Sequence, residues 1–120
     1  MAKLVVMVID DEPAVLKVTE MLIESLDTYQ VEAFPDGASA LAAFKASPGR
    51  YDIIITDLMM PEMSGQEISA NAKAIRPDIP VIAVTGFGAD TSLDVFEATL
   101  GKPFTRDSLA ACLKQFTPGD

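Results

Sequence analysis

Tyr51-Asp52-Ile53-Ile54-Ile55-Thr56-Asp57, followed at once by Leu58-Met59-Met60-Pro61, is the stretch on which the fold turns. A short β-branched run that ends abruptly in a carboxylate reads as a strand buried on both faces. The same pattern occurs once before, where the apolar run Leu4 to Ile9 ends in Asp10-Asp11-Glu12. Two strands ending this way bring three or four like charges to one edge of a sheet. Such crowding costs stability unless a cation binds there or a group is held for chemistry.

A chain of 120 residues suits one domain with a single core. With 49% hydrophobic and 22% charged residues, the composition is that of a globular protein rather than a disordered one. The net charge of −9 argues against direct nucleic-acid binding and favours a basic partner or a divalent cation in an acidic cleft. The absence of histidine removes His-ligated zinc and a histidine base within the chain. The single cysteine, Cys112, allows no internal disulfide and falls on an apolar helical stripe, so it reads as packing. No apolar run approaches a membrane span and no signal peptide is visible, so the expected location is cytoplasmic.

Working outward, the first strand is Leu4–Ile9. Pro13 opens a helix marked by Val15, Val18, Leu22 and Leu26. Val31–Phe34 forms the second strand, and Asp36 caps a helix carrying Ala40, Leu41 and Phe44, which ends near Ser47-Pro48-Gly49. After the third strand, Ile53–Thr56, a helix marked by Ile68, Ala72 and Ile75 closes at Pro77. Val81–Val84 is the fourth strand and the segment near Ala98–Leu100 the fifth. A last helix carries Leu109, Cys112, Leu113 and Phe116 and is capped by Thr105. Strand and helix alternate about five times, which predicts an α/β fold: a doubly wound parallel sheet of five strands with helices on both faces. No repeat or internal linker interrupts residues 1–120, so a single domain is expected, with no output domain. On this scaffold Asp10, Asp11, Asp57, Thr85 and Lys102 all follow strands, at the carboxyl edge where open α/β sheets bind ligands.

The acidic Asp10-Asp11-Glu12, Asp57-Leu58-Met59-Met60-Pro61 with Gly65, Thr85-Gly86 and Lys102-Pro103-Phe104 together resemble the receiver domain of two-component response regulators, over nearly the whole chain. The resemblance implies the flavodoxin-like strand order 2-1-3-4-5. It implies that Asp57 accepts a phosphoryl group from a phosphohistidine on a histidine kinase or histidine phosphotransfer protein. Asp11, Asp57 and the main-chain carbonyl of Met59 would bind Mg²⁺, and Asp10 would act mainly through a bound water. Thr85 and Lys102 would hold the phosphoryl oxygens, and the Lys102-Pro103 peptide is expected to be cis. Such a chain is a phosphoacceptor rather than an enzyme, assists its own phosphotransfer and dephosphorylation, and is a monomer or a weak phosphorylation-dependent dimer.

The residue types suit that chemistry. A carboxylate can attack phosphorus to give an acyl phosphate, provided charge is neutralised around it. Mg²⁺ takes oxygen ligands, and phosphoryl transfer needs positioning and charge stabilisation more than a protein base. Taken singly, each feature has an ordinary reading: the acidic trio as a helix-dipole complement, Thr85-Gly86 as a turn, Met59 and Met60 as loop or core side chains. It is their joint occurrence, in order and at strand ends, that carries the assignment. An aspartyl-phosphate hydrolase of the haloacid dehalogenase type would need an acid two residues after the nucleophile, where this chain has Met59. A phosphorylation-independent interaction module on the same fold, and the receiver segment of a hybrid histidine kinase, remain as alternatives.

Two departures stand out. Only sixteen residues separate Thr85 from Lys102, so the fourth helix, between the fourth and fifth strands, is expected to be short or irregular across Gly86–Phe96. The position three before the lysine, aromatic in many receivers, is Thr99, which puts the usual aromatic switch and dimerisation through that helix in doubt.

Overall fold

The computed structural model describes residues 3–86 and 96–117. Strands β1 (Leu4–Ile9), β2 (Tyr29–Phe34), β3 (Ile53–Asp57), β4 (Val81–Thr85) and β5 (Ala98–Gly101) form one sheet in the order β2-β1-β3-β4-β5. Every neighbouring pair runs parallel, with Val6 opposite Val31 and Ile53, and Ile55 opposite Ile82. Helices α1 (Pro13–Glu24), α2 (Gly37–Ala46), α3 (Gly65–Ile75) and α4 (Arg106–Lys114) supply the connections and the C-terminal cover. The doubly wound sheet and its strand order are those expected. The expectation of a short or irregular helix between β4 and β5 falls on residues 87–95, outside the described residues.

The two faces of the sheet are covered separately, because successive strand residues point to opposite sides. Val5, Met7 and Ile9 pack with Ala40, Phe44, Ile68 and Ala72 from α2 and α3. Val6 and Val8 pack with Ile23, Leu109, Cys112 and Leu113 from α1 and α4. Full burial of one such aliphatic side chain contributes about 1.5–3 kcal/mol. The continuous apolar runs in β1 and β3 follow directly from having helices on both sides.

Helix starts agree with their side chains. Asp36 Oδ1 accepts from the Ser39 N–H at 2.7 Å, Ser64 and Glu67 form a reciprocal capping pair, and Thr105 Oγ1 accepts from the Ser108 N–H at 3.0 Å. Several boundaries differ from those expected: β3 and β4 each run one residue further and take in Asp57 and Thr85 as their last residues. β2 begins at Tyr29 rather than Val31, since Tyr29 pairs with Leu4 and its hydroxyl lies 2.6 Å from Thr117 Oγ1. A 3-10 turn, Pro48–Arg50, follows α2. α1 ends at Glu24, before Leu26.

The face of α1 needs correction. Val18, expected on the buried stripe, is 53% exposed, and Met21 is 58% exposed. Thr19 and Ile23 are the buried residues of α1. Thr19 is tolerated there because its hydroxyl donates to the Val15 carbonyl at 2.8 Å. In α3, Ile75, also expected on the apolar stripe, is exposed.

Candidate functional site

β1 and β3 are neighbours, so their carboxyl ends place Asp10, Asp11 and Asp57 side by side. One carboxylate oxygen from each lies within 4.8 Å of the others. Asp10 and Asp57 are buried and Asp11 is exposed, so the cluster has two fixed walls and one side open to solvent. Asp10 is turned inward by the Glu12 N–H, which donates to Asp10 Oδ1 at 2.9 Å. Burial pushes the Asp10 carboxyl above its ordinary value. The Glu12 hydrogen bond and the Lys102 ammonium oppose that rise, and the charges of Asp57 and Asp11 add to it.

Lys102, directly after β5, closes the cluster. Its Nζ lies 3.4 Å from Asp57 Oδ2 and 3.8 Å from Asp10 Oδ2. The Lys102 N–H donates to the Thr85 carbonyl at 2.8 Å, which fixes the lysine beside the end of β4. The peptide between Lys102 and Pro103 is cis, as expected. Thr85 is buried at that strand end. Thr99 is exposed and in register with Ala83, so no aromatic ring stands at that position of β5.

The loop after Asp57 is built tightly. The Leu58 N–H donates to the Val84 carbonyl at 2.9 Å, and the Gly65 N–H donates to the Leu58 carbonyl at 3.0 Å. A β-carbon on Gly65 would stand 2.7 Å from the Asp57 carbonyl oxygen and 3.1 Å from the Leu58 Cα, so only glycine fits at the neck of this loop. Met59 lies within it, two residues past Asp57, with its side chain 79% exposed.

Three oxygen-donor side chains with an open side fit a hard divalent cation. Mg²⁺ binds through one or two carboxylates and retains several waters, and this arrangement leaves room for them. Sequence reading found all of these residues. It missed Gly65 as a steric requirement, the Glu12 main-chain bond that orients Asp10, and the role of Thr85 as an anchor through its carbonyl. All three depend on main-chain geometry.

Beside Lys102, the outer face of α1 and the loop after β5 enclose an apolar groove of about 470 Å³, lined by Val15, Val18, Leu22, Pro103 and Phe104. No helix among the described residues is long and apolar enough to cross a membrane.

Comparison with known proteins agrees with this geometry. The chain is 34% identical over 90 residues to the response regulator receiver protein CpdR of Brucella abortus, covering 69% of this chain and 73% of CpdR. It is 30% identical over 115 residues to the sensor kinase CckA of the same organism, covering 92% of this chain but 12% of the kinase. It likewise spans only 15% of the transcription factor SKN7 of Chaetomium thermophilum. The receiver domain of the sensor histidine kinase PA1611 from Pseudomonas aeruginosa PAO1, solved with magnesium in its active-site cleft, superposes with a TM-score of 0.85 at 27% identity, covering 96% of this chain and 98% of that one. Residues 6–114 match the family model of the response regulator receiver domain. Strand order, acidic edge and sequence agree, and the chain belongs to the response regulator receiver domain family.

Proposed function

We propose that Asp57 is the phosphoacceptor and that Thr85 and Lys102 hold the phosphoryl oxygens. The observation that carries this reading is the placement of Lys102 Nζ 3.4 Å from Asp57 Oδ2, at the mouth of the acidic cluster. A carboxylate oxygen of Asp57 attacks phosphorus and the P–N bond to the donor imidazole breaks. Its electron pair stays on the imidazole nitrogen and an acyl phosphate forms. Lys102 offsets the charge of the incoming phosphoryl group, and the Thr85 hydroxyl donates to one of its oxygens. Asp11, Asp57 and the Met59 carbonyl would hold Mg²⁺, with Asp10 acting mainly through a bound water, and the ion would supply neutralising charge for the phosphoryl oxygens. The same groups assist hydrolysis of the acyl phosphate.

The donor is a histidine kinase or a histidine phosphotransfer protein. It docks on the apolar groove along α1, which shares Lys102 with the site. NMR shift perturbations on adding a histidine phosphotransfer protein are expected at Val15, Val18 and Leu22; perturbations confined to other faces would remove this docking claim. Residues 1–120 act as one cytoplasmic receiver unit without nucleic-acid or membrane contacts of their own, monomeric or weakly dimeric on phosphorylation. The likeness to CckA and to the PA1611 receiver supports a second reading, the receiver segment of a hybrid histidine kinase.

Incubation with acetyl phosphate and Mg²⁺ tests the central claim. One phosphoryl group per chain is expected, and none on Asp57→Ala. An unlabelled native chain would leave a phosphorylation-independent interaction module on the same fold.

A further inference from the structure

Toward the opposite end of the sheet from Asp57, Glu97 immediately precedes β5. Its N–H donates to the Val81 carbonyl at 3.0 Å, and its side-chain Oε1 accepts from the Val81 N–H at 2.8 Å. Glu97 therefore grips both main-chain polar groups of the first residue of β4. The carboxylate is held in turn from α3, with Lys73 Nζ 2.7 Å from Glu97 Oε2 and donating to the Ile79 carbonyl at 2.8 Å.

This grip sits on the least supported strand of the sheet. β5 has four residues and one strand neighbour, β4. A slip of one residue in such a strand would exchange its two faces, turning Leu100 out of the core and Thr99 into it. Lys102 is the next residue after the strand, and its main-chain bond to the Thr85 carbonyl is the last one securing that register. Where the lysine ammonium stands therefore depends on how β5 is fixed at its start.

We propose that Glu97 is a positioning residue for Lys102. Its side chain locks β5 in register against Val81 and so sets the ammonium beside Asp57. The inference rests on the reading of Lys102 as a phosphoryl-binding group, but its first test does not. Glu97→Ala and the strand-compatible Glu97→Val both remove the acceptor for the Val81 N–H. In each, amide hydrogen exchange at Leu100 and Lys102 is expected to quicken about tenfold relative to β1 amides, the scale of one lost charge-assisted hydrogen bond. Glu97→Gln keeps a side-chain carbonyl for that N–H and is expected to restore most of the protection.

Labelling by acetyl phosphate supplies the functional arm. Glu97→Val is expected to slow it severalfold in the native background and to add nothing in a Lys102→Ala background, because residues acting as one unit are not additive. Unchanged exchange at Lys102 in the folded variants, or equal slowing with and without Lys102, would overturn the proposal. A native chain that takes no phosphoryl group would instead strike the functional reading, leaving the exchange result to judge Glu97.

Discussion

Lys102 Nζ stands 3.4 Å from Asp57 Oδ2, across 45 residues of chain. The ammonium also lies 3.8 Å from Asp10, so one cation faces two buried carboxylates, with a third, from Asp11, beside them. Three carboxyl groups against one ammonium give the site an excess of acidic groups, which suits a divalent cation.

Replacing the lysine should expose that imbalance. Lys102→Ala is expected to slow labelling of Asp57 by acetyl phosphate at least tenfold, by loss of an electrostatic contact to the transferring group. Labelling at the native rate would remove Lys102 from the phosphoryl-binding role.

Mg²⁺ is expected to stabilise the folded chain. A ligand bound only by the native state contributes about 2.7 kcal/mol at a hundredfold excess over its dissociation constant. Thermal unfolding with and without Mg²⁺ at matched ionic strength reads this directly. Asp57→Asn is expected to raise the metal-free melting temperature, because one of three crowded charges is gone, and to weaken the response to Mg²⁺. A native melting temperature indifferent to Mg²⁺ would count against the site.

Gly65→Ala places a β-carbon against the main chain of Asp57 and Leu58, neither of which can move aside as a side-chain tip could. The expected destabilisation is about 1–3 kcal/mol, the usual cost of overpacking, together with weaker Mg²⁺ binding. Urea unfolding checks the first and Mg²⁺ titration the second. A variant as stable as the parent would show that the loop has room to relax.

Tyr51 offers a pH test away from the site. Its ring is buried and its hydroxyl donates to Glu32 Oε1 at 2.6 Å. Burial first, and the Glu32 carboxylate second, push the phenol from 10.0 up to about 12. The folded chain thus holds this proton where the unfolded chain releases it. The stabilisation is complete below the unfolded value and is lost as pH rises through the folded one. Unfolding free energy should therefore fall between these limits, and Tyr51→Phe should lack that part of the decline. Equal slopes for the two proteins would contradict the assignment.

What could be read in the sequence was what repeats locally. β1 and β3 announce themselves because a strand covered on both faces must be apolar at every position, and Asp10, Asp11 and Asp57 announce the site because each breaks such a run. The caps at Asp36 and Thr105 were legible for the same reason, as a side chain and the N–H it accepts from lie three residues apart. Tertiary structure alone decided matters that join distant segments. α1 carries two apolar stripes, and only its seat against the sheet chose Thr19 and Ile23 for burial, leaving Val18 and Met21 to solvent. Arg76 donates to the Pro48 carbonyl at 2.8 Å, Arg106 binds Ser25, and Glu97 grips Val81. No period or motif marks these pairs, because each is made only when the folded sheet brings together chain segments separated by 16 to 81 residues.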